Sequence, residues 1–311
     1  MAGAAAVRNA FTVDVEDYFH VSAFEGRILP EEWERWPQRV AGNTARLLDL
    51  LAEAGVRGTF FVLGWVAERH PGLVRRIAEA GHEVASHGHA HRRVSTMDPQ
   101  AFRADVLRAK AALEDAAGVA VWGYRAPSYS IGPDNLWALE VLQETGHRYS
   151  SSIYPIRHDL YGWPDGPRFP WRPLGEEGLL EIPITTLEWR GRRLPCGGGG
   201  WFRLFPYVLY RGALRRVNRR DRRPAVFYCH PWELDPDQPR PRGLDARTRF
   251  RHYLNLERTE GRLRRLLRDF AWGRMDRIFL GAEQGAAGIR TARQGRLEPG
   301  REAAPQEVSY G

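Results

Sequence analysis

The 311-residue chain holds one lysine, Lys110, among its 46 basic residues. That lysine sits between alanines in a helical-looking stretch, which sets aside Schiff-base and pyridoxal-phosphate chemistry. Two cysteines, Cys196 and Cys229, make neither a disulfide framework nor a thiolate metal site. A Cys229–His230 dyad is excluded as well, because adjacent strand residues face opposite sides. No run of about eighteen apolar residues occurs, so no transmembrane helix is encoded. The stretch Met1 to Arg8 lacks the apolar segment of a secretory signal, and the expectation is a cytoplasmic protein. Serine catalysis on a Gly-x-Ser-x-Gly elbow and a dinucleotide site on Gly-x-Gly-x-x-Gly both lack their motif. The four glycines from Gly197 to Gly200 lack the Lys-Ser/Thr of a phosphate loop. They read as backbone approaching a ligand or another loop closely.

What is present describes a globular chain, with 43% hydrophobic and 11% aromatic residues. The net charge of +8 comes from arginine, concentrated in Arg211 to Arg223 and Arg247 to Arg268. No nucleic-acid motif accompanies it, so nucleic acid is not an expected partner. Solvated helix faces, or peripheral contact with an anionic membrane, remain. Alternation of Phe11, Val13 and Val15 with polar residues predicts a first strand over Ala10 to Glu16. Further strands are expected at Gly58–Leu63, Glu83–Ser86, Val121–Arg125, Tyr149–Ile153, Leu179–Ile184 and Ala225–Cys229. Helices fall between them: one capped by Asn43, one from Pro71 to Ala80, one opening at Asp98-Pro99, one over Pro133 to Glu144. A last helix is expected from Arg247 to Phe270. Strands alternating with helices give parallel pairing through right-handed crossovers. The expected fold is α/β, a distorted (β/α) barrel of about seven parallel strands with a C-terminal helical extension. Residues 8–235 would form the barrel, 236–282 a basic helical extension packing on it, and 283–311 a flexible tail.

The strand ends carry the chemistry. Glu83-Val84-Ala85-Ser86 runs into His87-Gly88-His89-Ala90-His91. If the backbone coils there, a spacing of four puts His87 and His91 on one face and sends His89 elsewhere. Two imidazoles and a carboxylate suit a divalent cation, zinc in particular, with one position left open for water. Asp14 and Glu16 point the same way from the first strand, whereas Asp17 points the opposite way. Arg125 and His230 end two later strands. A water attack needs a base, a leaving amine needs an acid, and Arg125 suits holding a base carboxylate. Together these residues predict a metal-dependent hydrolase. Trp163, Trp171, Trp201 and Trp232, in loops at the same end, are candidates for stacking on sugar rings.

The motifs Thr12-Val13-Asp14-Val15-Glu16-Asp17, Ser86-His87-Gly88-His89-Ala90-His91, Arg125-Ala126-Pro127-Ser128-Tyr129 and Phe227-Tyr228-Cys229-His230-Pro231 resemble the polysaccharide deacetylase family. The resemblance runs from about Phe11 to Trp232. The Val-Asp-Val-Glu-Asp-Tyr opening and the His-Pro-Trp-Glu-Leu-Asp-Pro ending resemble the branch associated with exopolysaccharide and exosortase loci. The resemblance implies a metal-dependent enzyme that removes acetyl groups from N-acetylated sugars. By motif, Asp14 is the base, His87 and His91 are metal ligands, Arg125 orients the base and His230 is the acid. A backbone amide between Arg125 and Tyr129 is a candidate oxyanion donor. The family pattern has two adjacent aspartates, base then ligand, and this chain departs from it. Strand parity makes Glu16 the expected third ligand, with Asp17 the fallback. Two other readings stay open: a non-catalytic glycan-binding module of the same fold, and a metal-dependent hydrolase of a small cyclic amide.

Overall fold

The computed structural model describes residues 7–159 and 161–281, so the expected tail at 283–311 lies outside the described residues. β1 (Arg8–Val15) is the central strand, and it is buried from Asn9 onward. Its alternation decides two environments. Phe11, Val13 and Val15 join the core under the helices, while Ala10 packs inside the barrel with Phe61, Ala85, Val226 and Tyr228. Residues of Ala10's parity therefore line the interior, and Asp14 and Glu16 are among them.

Around β1 the chain alternates as expected. It continues with α1 (Val40–Glu53), β2 (Thr59–Val62), α2 (Gly64–Arg69), α3 (Pro71–Glu79) and β3 (Glu83–Ser86). Next come α4 (Pro99–Ala117), β4 (Gly123–Tyr124), α5 (Trp137–Glu144), β5 (Tyr149–Ser150) and β6 (Leu180–Glu181). A hairpin of β7 (Thr186–Trp189) and β8 (Arg192–Pro195) precedes α6 (Gly199–Leu204), α7 (Tyr207–Arg216) and β9 (Val226–Cys229). The described chain ends with α8 (Ala246–Tyr253), α9 (Leu256–Asp269) and β10 (Ala271–Gly273). β1 to β6 pair in parallel in sequence order, and β9 returns to pair in parallel with β1. Seven parallel strands thus form the distorted (β/α) barrel.

Between β6 and β9 there is no ladder. Val226 N–H donates to the Thr185 hydroxyl at 2.6 Å, and Tyr228 N–H to Gly197 O at 2.7 Å. Gly198 makes this closure possible. Its φ is +136°, and a Cβ there would meet Tyr228 O at 2.0 Å. The glycine run approaches a strand, β9, where a ligand or another loop was expected, and then opens α6.

Several local expectations change. α1 starts three residues before Asn43, because the Asp17 carboxylate accepts from Arg39 N (2.6 Å) and Val40 N (2.9 Å). A residue 22 positions upstream satisfies the helix end, so the cap is tertiary and not local. The single helix expected from Arg247 breaks into α8 and α9 at Asn255, whose φ is +54°. The C-terminal segment also enters the sheet: β10 pairs in parallel with Arg8–Ala10 of β1. The β7–β8 hairpin was not expected either: each strand is only four residues long, and β8 opens on Arg192 and Arg193 in place of an apolar face.

Candidate active site

Glu16, His87 and His91 converge at the C-terminal ends of β1 and β3. Their ligand atoms lie within 4.8 Å of one another. The imidazoles do not meet across a helix face, as the spacing suggested. His87 leaves the end of β3, Gly88 has φ +73° and His91 φ +50°, and the left-handed turn folds the second ring back beside the first. The ring centroids stand 5.4 Å apart. His87 Nδ1 is 2.9 Å from Arg125 O, which spends that nitrogen as a donor and leaves Nε2 for a ligand. Burial pushes the His87 imidazole down to about 4 against the charges of Asp14 and Glu16, so it stands in the neutral, ligating form. Burial alone would raise the Glu16 carboxyl. His91 in contact with it, with His230 and His87 nearby, holds it well below the ordinary carboxylate range.

These residues fit a divalent cation. His91 Nε2 lies 2.8 Å from Glu16 Oε2, yet that buried oxygen has no hydrogen-bond donor. A carboxylate oxygen desolvated beside two imidazoles without a donor is the arrangement a cation satisfies. Asp17, the fallback, is occupied at the start of α1. His89 turns away, with Nε2 3.0 Å from Glu68 Oε1.

Beside this cluster, Asp14 meets Arg125. The guanidinium is fully buried and donates through Nη1 to Asp14 Oδ1 at 2.6 Å and to the Thr12 hydroxyl at 2.8 Å. Nε reaches Ser151 O at 3.2 Å and Nη2 the Ser151 hydroxyl at 3.1 Å. The Phe61 ring lies under it at 4.0 Å. Arg125 has no rotational freedom left, and neither has the carboxylate oxygen it holds. Tyr129 adds an O–H toward Asp14 Oδ2 at 3.5 Å. Its own amide is spent on Ala126 O, which removes one candidate oxyanion donor.

His230 stands close to both acids, its Nε2 3.6 Å from Glu16 Oε1 and 4.0 Å from Asp14 Oδ2. Glu233 Oε1 accepts from His230 N at 3.0 Å and meets Nδ1 at 2.7 Å. Arg203, itself buried, donates Nε to Glu233 Oε2 at 2.7 Å. Burial opposes charging the imidazole. The hydrogen bond to Glu233 and the charges of Glu16, Glu233 and Asp14 outweigh it and push His230 up to about 9. Trp232 is stacked between His230 and His252 and donates Nε1 to Glu16 Oε1 at 3.3 Å. Sequence reasoning missed Glu233, Arg203 and Tyr129. Glu233 had a local signal, three residues after His230 across a proline, whereas Arg203 had none.

Asp14, Glu16, His87, His91, Tyr129 and His230 line one cavity of about 540 Å³. Of the four expected tryptophans, Trp201 and Trp232 line it. Trp163 and Trp171 pack on each other against the core instead, 6.5 Å between centroids.

A distorted (β/α) barrel with a Glu/His/His cluster, a buried Asp–Arg pair and a histidine around one strand-end cavity is the class of molecule observed. Residues 34–150 match the polysaccharide deacetylase family, and residues 151–280 match a domain family of unknown function, DUF3473. The chain thus carries a polysaccharide deacetylase domain, followed by a DUF3473 domain. A chitooligosaccharide deacetylase of Sinorhizobium fredii is 40% identical over 146 residues, 47% of this chain and 61% of that protein. Another, of Bradyrhizobium sp., is 34% identical over 145 residues, 47% of this chain and 60% of that protein. These matches span about three fifths of the relatives' own length. A crystal structure from Mycobacterium smegmatis, described as a polysaccharide deacetylase, covers 99% of this chain and 97% of its own at 22% identity and TM-score 0.55. It shares the fold. His230, Glu233 and Arg203 fall in the second matched segment, and Asp14 and Glu16 precede the first.

Proposed function

We propose that the chain is a metal-dependent deacetylase that removes N-acetyl groups from an amino-sugar polysaccharide, or its lipid-linked precursor, in exopolysaccharide biosynthesis. The observation that carries this reading is the placement of Asp14 and His230, 4.0 Å apart, beside the Glu16, His87 and His91 cluster in one cavity. Two imidazoles and one carboxylate suit zinc better than magnesium or calcium, which prefer all-oxygen shells. Bound there, the cation supplies Lewis-acid polarisation of the acetamide carbonyl and a water of lowered pKa. Asp14, fixed by Arg125, takes the proton of the attacking water. His230, its Nδ1 engaged by Glu233, presents Nε2 to the cavity and protonates the departing sugar amine. Arg203 and Glu233 position His230, and Trp232 positions Glu16.

The test joins metal content to acetate release. His87→Ala and His91→Ala are expected to lose the metal measured by atomic emission, and His89→Ala to keep it. Equal loss in all three would overturn the ligand assignment. Chelation and the Asp14→Asn and His230→Ala variants are expected to stop acetate release from a chitooligosaccharide. Binding of the glycan without any release by the unaltered chain would favour a binding module. Turnover of a ring amide alone would favour a cyclic-amide hydrolase.

A further inference from the structure

The mouth of the cavity carries side chains that the chemistry at its floor does not use. Leu204, on α6, and Phe250, on α8, line it with 41% and 57% of their surface exposed. Val208 and Leu209, in the first turn of α7, follow Leu204 by four and five residues and are 67% and 65% exposed. These four are half of the eight large apolar side chains that the described residues leave exposed. Tyr210 and Leu214 of α7 are buried, so the helix already has its core face, and Val208 and Leu209 are surplus to it. Leu204, Val208 and Leu209 are aliphatic and offer little to a hydroxylated sugar, which stacks on aromatic rings. They gain from an acyl-chain boundary.

The charge beside this ridge is mostly positive. From Ala246 to Asp269 the chain carries eight arginines against three carboxylates, Glu257, Glu260 and Asp269. Arg247 and Arg251 at the cavity mouth share one carboxylate, Asp159. Arg262 of α9 donates to the carbonyls of Phe202, Arg203 and Phe205, which locks α9 beside the α6–α7 ridge. Among the described residues, Arg258 and Arg265 on exposed positions of α9 pair with no carboxylate.

We propose that this face docks the cavity mouth onto an anionic bilayer surface, with Leu204, Val208, Leu209 and Phe250 entering the headgroup boundary and the arginines of α8 and α9 meeting the lipid charge. A second copy of the chain is the competing occupant. It would bring two arginine-rich faces together, like charge against like, whereas an anionic bilayer neutralises both the apolar exposure and the charge. Docked in this way, the cavity opens toward lipid, so a sugar on a lipid carrier reaches the site without leaving the membrane. That last step rests on the deacetylase reading, but the docking itself does not.

Flotation of the full chain with phosphatidylcholine vesicles, alone or mixed with phosphatidylglycerol, at low and high salt tests the proposal. The chain is expected to float with the anionic vesicles at low salt and to be released as salt rises. Val208→Ser with Leu209→Ser is expected to weaken binding at least tenfold. Arg258→Gln with Arg265→Gln is expected to weaken it about thirtyfold, roughly 1 kcal/mol per arginine. Neither pair lines the cavity, so acetate release from a soluble chitooligosaccharide is expected to stay unchanged in both. No flotation at low salt, equal flotation with neutral vesicles, or indifference to the Val208/Leu209 change would each overturn the proposal. So would a dimer in light scattering that the same change dissolves. Failure of the unaltered chain to release acetate would count against the deacetylase reading alone.

Discussion

Replacing Arg125 with methionine tests the pairing at the centre of the site. The substitution keeps an unbranched apolar stem of similar reach and deletes the guanidinium, with its donors to Asp14, Thr12 and Ser151. The Asp14 side chain is 3% exposed, so water cannot replace the lost partner. Breaking a buried ion pair from one side costs about 3–5 kcal/mol. For a chain of this size that lowers the melting temperature by roughly 6–15 °C, at about 2–3 °C per kcal/mol. Asp14→Asn alone strands the buried guanidinium and is expected to cost a similar amount. The double variant removes both charges, and its loss is expected to fall about 2–4 kcal/mol short of the summed single losses. Urea and thermal unfolding of the metal-free protein, followed by tryptophan fluorescence, measure all four corners of the cycle. Additive losses, with no rescue in the double variant, would refute the claim that Arg125 and Asp14 act as one buried unit.

Three further outcomes follow from the geometry. Glu233→Gln removes the carboxylate between Arg203 and His230, so acetate release is expected to fall with kcat and not KM, and stability by about 3 kcal/mol; an unchanged kcat would refute its positioning role. Gly198→Ala places a Cβ against Tyr228 O in a left-handed backbone, and a loss of about 2–4 kcal/mol is expected in urea; an unshifted midpoint would mean the closure is not tight. Glu83, fully buried beside Asp276, has its carboxyl raised by burial and by that neighbouring charge. The folded state therefore holds this proton more tightly than the unfolded chain, and stability is full below the ordinary glutamate value of 4.5 and declines as pH rises above it. Glu83→Gln is expected to flatten that decline, and an unchanged slope between acid and neutral pH would remove Glu83 as its source.

Local periodicity made much of this legible before any coordinates. The parity of β1 put Asp14 on the barrel side with Ala10, because a strand alternates faces whatever it packs against, whereas Glu16 and Asp17 lie past its end at Val15. The Asp98-Pro99 start and Gly118 stop of α4 are equally local, the first an accepting carboxylate and the second a residue free to turn left-handed. The order of parallel strands followed from their alternation with helices.

Contacts between residues far apart in sequence were decided only by the tertiary structure. Asp17 caps α1 across 22 residues, Arg203 reaches Glu233 across 30, and Trp232 reaches Glu16 across 216, and no spacing rule encodes such pairs. His87 and His91 had the right separation for the wrong local reason, since a left-handed turn, and not a helix, brings the rings together. β10 is three residues long, too short to show a period, and it is a strand because the first residues of β1 offer it unpaired backbone. Residue type and short-range alternation set which groups face the barrel axis. The closing of the sheet, through Gly197 and Gly198 against β9, settled which of them meet.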